Sequence, residues 1–148
     1  MSSEREGPFW DVMQGRTPAP PAAATLGFKL LDIDADQGTI RVQFDGKPEF
    51  LNPMGNVQGG FLCAMLDDTL GPALVATLPK DHFAPTIELK VNFIRPAKAG
   101  PLIGTGRVVS RGGTIAFLAG ELSTALGELI ATATATARIV QVGHKNDV

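Results

Sequence analysis

The chain has 148 residues, 44% of them hydrophobic and 19% charged, which suits one domain with a sizeable core and leaves little room for a second. Its formal net charge of -2 and the absence of a basic block exclude nucleic acid as the main partner, because phosphate neutralisation needs clustered Lys and Arg. The lone cysteine, Cys63, excludes an internal disulfide and every multi-cysteine metal site.

In chain order, the opening MSSEREGPFW has neither a basic nor an apolar leader segment, so a cytoplasmic protein is expected. PFWDVMQ suits a short helix, and TPAPPAAAT reads as an extended, proline-favoured connector. Residues 1–24 are therefore expected to be an arm and linker, residues 25–142 the folded domain, and residues 143–148 a tail. FKLLDIDA and TIRVQF alternate in part, with Asp36-Gln37-Gly38 between them as a hairpin turn. PEFLNPMGNV suits an irregular loop that delivers the chain to an apolar helix beginning near Gln58. That apolar run is broken by Asp67, Asp68 and Pro72 and falls short of the roughly 20 residues of a membrane span. It belongs to a core, and no membrane partner is expected.

Beyond Leu78-Pro79 the period returns to two. Ile87, Leu89, Val91 and Phe93 share one face, with Thr86, Glu88, Lys90 and Asn92 on the other, the pattern of a half-buried strand. PLIGTGRVVS, TIAFLAGELS and ELIATATATARIV follow, joined by turns at Arg111-Gly112-Gly113 and Thr124 to Gly127, so a four-stranded meander is expected to close the chain. The alanines of ATATATA leave room for something bulky, and the single apolar helix is the candidate. Two strands, one helix and four strands give an α+β domain in which an antiparallel sheet of about six strands wraps around one long hydrophobic helix. The sheet face or edge left uncovered would be an oligomer contact.

If Gly60 to Leu70 is helical, Gly60, Ala64, Asp67 and Gly71 form a line almost without side-chain volume except for the carboxylate. Another backbone or a ligand could then approach Asp67, and a carboxylate desolvated at a cleft is a candidate catalytic group. The plain alternative makes one Asp an exposed charge at a helix edge and the other a local cap or pair. Gly59-Gly60 at the helix start would leave free N–H groups at the positive end of the helix dipole, suited to a developing oxyanion. Gly60 and Asp67 lie about 10 Å apart along such a helix. A dimer would bring one subunit's amide to the other's acid.

With these residues in view, the segment from about Gly27 to Val140 resembles the hotdog-fold acyl-CoA thioesterases of the phenylacetate-degradation (PaaI-type) branch. The family pattern is an Asn, six residues on a His-Gly-Gly, and an Asp nine residues after that His. Here Asn52, Gln58-Gly59-Gly60 and Asp67 occupy those places, and VNFIRPAKAG matches the family's strand-to-loop segment. The resemblance implies the hotdog fold, an oligomer that is a dimer or a dimer of dimers, active sites at the dimer interface, acyl-CoA as substrate, and no metal or redox cofactor. Carried over by position, the Gly59 N–H would polarise the thioester carbonyl, and Asp67 of the facing subunit would be general base or nucleophile. Asn52 would position carbonyl or water, and Thr86 falls where some relatives hold the water with a Ser. Asp68 falls on a non-catalytic neighbour.

Gln58 departs from the family His: it can donate and accept hydrogen bonds but cannot titrate near neutrality. His82 and His144 lie far from the motif in sequence and read as loop and tail residues. Cys63 reads as core. Lys90, Arg95, Lys98 and Arg111 are candidates for CoA phosphates, and Gly60, Met54, Val57, Phe61 and Met65 for the acyl pocket. Two other functions compete with the thioesterase. One is a non-catalytic acyl-CoA or lipid binder, which Gln58 keeps open. The other is a hotdog enoyl-thioester hydratase or dehydratase, less favoured because its acid is usually joined by a catalytic His.

Overall fold

Alternation in TIRVQF sends Ile40, Val42 and Phe44 to one side, and in the computed structural model, which describes residues 5–143, all three are buried. They lie on β2 (Thr39–Gly46), which pairs antiparallel with β1 (Lys29–Asp34). The turn between them is held by the Asp34 carboxylate, which accepts the N–H groups of Asp36 at 3.1 Å and Gln37 at 3.0 Å. Gly38 closes it with φ 69°, a left-handed backbone open to glycine at little cost.

The remaining large strands are β4 (Thr86–Phe93), β5 (Gly100–Arg111), β6 (Ile115–Thr124) and β7 (Leu129–Arg138). Together the six make one antiparallel sheet in the order β1-β2-β5-β6-β7-β4. This corrects the expected four-stranded meander: only β5, β6 and β7 follow one another. The edge of β2 away from β1 is taken by β5, from Thr39↔Arg107 to Gly46↔Gly100, and β4 pairs with the far side of β7. A two-stranded clip of β3 (His82–Phe83) and β8 (Val140–Gln141) lies apart, and the last long strand ends at Arg138 rather than continuing to Val140.

The helix α3 (Gly59–Val75) packs on one face of this sheet through Leu62, Met65, Leu66, Thr69, Leu70, Ala73 and Leu74. It comes close because the strands beneath carry glycine: a side-chain carbon on Gly106 or Gly120 would stand 2.9 Å from Leu70 Cδ2. The alanine face of β7, Ala131, Ala133, Ala135 and Ala137, points inward as expected. The result is a hotdog: a six-stranded antiparallel sheet around one long helix.

Residues expected to be an extended connector instead include α2 (Pro21–Leu26), with Ala23 and Leu26 buried. The signals for it were present. Pro21 at the first helical position needs no N–H, alanines follow, and Gly27 ends the helix in the left-handed conformation. The short helix expected in PFWDVMQ is α1 (Pro8–Met13), and it is docked. Phe9 is buried and Trp10 Nε1 donates to the Ala76 carbonyl at 3.3 Å. Among the described residues no helix is long and apolar enough to cross a membrane.

Candidate active site

The loop ahead of α3 is shaped by Asn52. Its side-chain Oδ1 accepts the N–H groups of Met54 at 3.0 Å and Asn56 at 3.1 Å, and its own N–H donates to the Asn56 carbonyl at 2.7 Å. Asparagine suits such a turn because its side chain can satisfy backbone groups a few residues on. The next two residues are tied to neighbouring segments: the Val57 N–H donates to the Ala97 carbonyl and the Gln58 N–H to the Phe50 carbonyl, each at 2.8 Å. Val57 is thereby turned into the core, 3% exposed, which corrects its expected place on an acyl pocket. Met54, in contrast, is 80% exposed on the loop.

The Gln58 carbonyl takes the first helical N–H groups, those of Phe61 and Leu62. Gly59 and Gly60 keep theirs without a backbone acceptor among the described residues, as the first turn of any helix must. The Gln58 side chain is exposed and makes no capping bond. Beside it, Phe61 stacks on Phe50, ring centroids 4.1 Å apart and planes within 11°, so one face of its ring is committed to packing.

Further along α3 the expected small-residue line is open: nothing stands within 4 Å of where a side chain on Gly60 or Gly71 would begin. Asp67 on this line is exposed in the single chain, open to the approach of another backbone or a ligand. Its Oδ1 accepts the Thr86 hydroxyl at 2.8 Å, so the start of β4 and the middle of α3 meet at the two residues anticipated. Gly59 and Asp67, eight helical residues apart, remain separated by about 12 Å along the axis.

The environments of the two acids differ. Asp68 is half-buried, and its Oδ2 is enclosed without a hydrogen-bond partner. Burial, and then the Asp67 charge beside it, push its carboxyl from the ordinary 3.8 up to about 6. Such perturbation often marks functional groups, though structural acids show it too. Asp67 is the more accessible of the two and is the one that accepts the Thr86 hydroxyl. The burial of Asp68 has a consequence for stability. The folded state holds this proton more tightly than the unfolded chain, so stability falls as pH rises from about 4 to about 6 and the cost persists above. Asp68→Asn should therefore raise stability by about 1–2 kcal/mol at pH 7.5, less than the full shift implies because part of the carboxyl faces solvent. The gain should vanish below about pH 4. Thermal melts of both proteins across that range would expose a gain independent of pH, which contradicts this account.

The basic residues do not gather. Arg95 donates to the Leu129 carbonyl at 3.1 Å, at the Gly100 end of β5. Arg111, at the other end of that strand, donates to the Thr77 carbonyl at 3.1 Å and to the Thr77 hydroxyl at 2.9 Å, beyond the C-terminus of α3. One chain thus forms no single phosphate cluster from Arg95 and Arg111; Lys90 and Lys98 are exposed. Cys63 is half-buried, and burial raises its thiol pKa. His82 belongs to the β3–β8 clip, with Nδ1 at 2.7 Å from Asp81 Oδ1, while His144 lies outside the described residues. Sequence reasoning missed the position of Phe93: its ring tip, Cζ, lies 3.0 Å from where a side-chain carbon on Gly59 would sit. The period-two pattern placed Phe93 on the buried face of its strand, yet it is 54% exposed.

A family model described as Thioesterase superfamily matches residues 54–131. The chain belongs to this superfamily. The matched stretch runs from Met54 through α3 into β7 and contains Gln58, Gly59, Asp67 and Thr86, with Asn52 just ahead of it. A Saccharolobus solfataricus protein whose name assigns it provisionally to the esterases is 34% identical over 110 residues, 72% of this chain and 77% of that relative. Human acyl-coenzyme A thioesterase 13 is 28% identical over 125 residues, 82% of this chain and 86% of the relative. Among solved structures, a phenylacetic acid degradation-related protein from Ralstonia eutropha JMP134 superposes with a TM-score of 0.85. It is 41% identical and covers 88% of this chain and 98% of its own. The PaaI protein of E. coli superposes at 0.78 with 20% identity, over 91% and 94% of the two chains. This likeness concerns the fold. Superfamily membership supports thioester hydrolysis as the general chemistry of the chain.

Proposed function

We propose that this thioesterase-superfamily protein hydrolyses acyl-CoA to the free acid and CoA in a site built by two copies of the chain. The observation that carries this reading is the Thr86–Asp67 hydrogen bond on an open line of the helix that starts at Gly59. A thioester carbonyl would accept the Gly59 N–H at the positive end of α3, where charge developing on oxygen is stabilised. Asp67 of the second copy would take a proton from water as its oxygen adds to the carbonyl carbon, or attack that carbon itself. The C–S bond then breaks and the thiolate leaves to be protonated; where Asp67 has attacked, water then hydrolyses the acyl–Asp67 anhydride, releasing the acid and restoring the carboxylate. Thr86 fixes one carboxylate oxygen of Asp67 and leaves the other for water or substrate. Asn52 holds the loop that sets Gly59, and exposed Gln58 serves as a neutral hydrogen-bonding group at the same end.

The second copy is required by distance, because about 12 Å between Gly59 and Asp67 is too far for one reacting carbon. An interface is also offered. β4 is an edge strand, and Ile87 and Ile94 are 59% and 47% exposed on or just beyond it, so pairing would cover apolar surface and satisfy its open backbone edge. A dimer, or a dimer of dimers, in the cytoplasm completes the proposal, with residues 25–142 as its catalytic domain. The test is release of free CoA thiol from a panel of short, medium and aryl acyl-CoAs. Turnover well above the uncatalysed rate on some member is expected. Tight binding without turnover on any of them would instead make the protein a binder, the reading that Gln58 keeps open, and hydration of an enoyl-CoA alone would make it a hydratase.

A further inference from the structure

We propose that Phe93 walls the acyl side of the site and sets the size of acyl group accepted; this rests on the reading of the Gly59 N–H as the donor to the thioester carbonyl. Three ring atoms, Cζ, Cε1 and Cε2, lie 3.0, 3.3 and 3.6 Å from the point where a side chain on Gly59 would begin. It is therefore the outer end of the ring that reaches over the glycine. Glycine at 59 gives the ring this space, and a ligand drawn to the Gly59 N–H meets the ring as its nearest neighbour on that flank.

The ring is exposed, but the strand that carries it is fixed. Phe93 is in register with Ala131 of β7, and the next two N–H groups, those of Ile94 and Arg95, both donate to the Ile130 carbonyl, at 2.8 and 3.1 Å. Strand and helix thus hold ring and amide at a set separation, which is what a size filter needs. The opposite flank, along Gly60, is open. A carbonyl carbon carries two substituents, and the long, polar CoA arm suits the open flank. The acyl group is left against Phe93, whose hydrocarbon ring offers no partner to a phosphate. Acyl groups are then accepted up to the bulk that fits beside the ring, and one methylene too many in such a pocket typically costs tenfold or more.

The experiment compares the wild type with Phe93→Ala, Phe93→Leu and Phe93→Trp on a graded series of straight-chain acyl-CoAs, with assembly followed by light scattering. Phe93→Ala and Phe93→Leu should raise the ratio of kcat/KM for long over short acyl groups by about tenfold, and Phe93→Trp should lower it, with the assembly mass unchanged. Equal losses on every chain length, or ratio shifts of the same sign in the larger and smaller variants, would overturn the proposal. Dissociation of all three variants would do so too, making Phe93 an interface residue. A wild type inactive on the whole series would sink the thioesterase reading first, and this inference with it.

Discussion

Asp67→Asn should lower kcat by about a thousandfold while changing KM little, because it removes the charge that activates water or attacks the carbonyl and keeps the side chain's shape. Thr86→Val should cost less, about tenfold, since Thr86 only orients the carboxylate through its 2.8 Å hydrogen bond. Asp68→Asn is the control. It touches the acid whose enclosed oxygen lacks a donor, and its turnover should stay within about threefold of the wild type, a surface-like effect on the chemistry. Steady-state kinetics of the three variants, with folding checked by circular dichroism, decide the matter. Equal losses in Asp67→Asn and Asp68→Asn would remove the assignment, and a loss confined to Asp68→Asn would transfer the role to the half-buried acid.

The second large effect concerns assembly. Ile87 is 59% exposed at the start of β4, beside the step in register between Thr86 and Glu88. A lysine at such a place is the device by which natural sheets keep edges from pairing. Ile87→Lys should yield a folded monomer in sedimentation, with activity reduced by about a hundredfold or more, because neither chain alone can bring Gly59 within reach of Asp67. Activity per chain should recover as protein concentration is raised. A variant that is monomeric and fully active would show that one chain suffices, and the two-copy site would fall.

Much of this molecule was legible in its sequence, because the signals are local. Alternation in TIRVQF and the apolar run after Gln58 each record which faces are buried, because a buried face is written in the period of the residues that make it, whereas alternation in TIELKVNF marks β4 as a strand without giving its burial. The open line of Gly60, Ala64, Asp67 and Gly71 was readable for the same reason, as helical spacing alone puts those residues together. The helix at Pro21–Leu26 was written there too, in a proline start and a glycine stop, but the density of prolines around it suggested a connector.

What only the tertiary structure decided are relations between segments distant in sequence. Periodicity says that β4 is a strand but not which edge is vacant for it. β5 occupies β2 and β4 lies on the outer edge of β7, and that placement brings Thr86 to Asp67 and Phe93 to Gly59. Burial of Val57 follows from its N–H being drawn to Ala97, a partner forty residues away in the chain. The division between exposed Asp67 and half-buried Asp68 could not be read from two adjacent identical residues; it depends on where the helix lies against the sheet, because a carboxyl's environment is set by what packs around it through space.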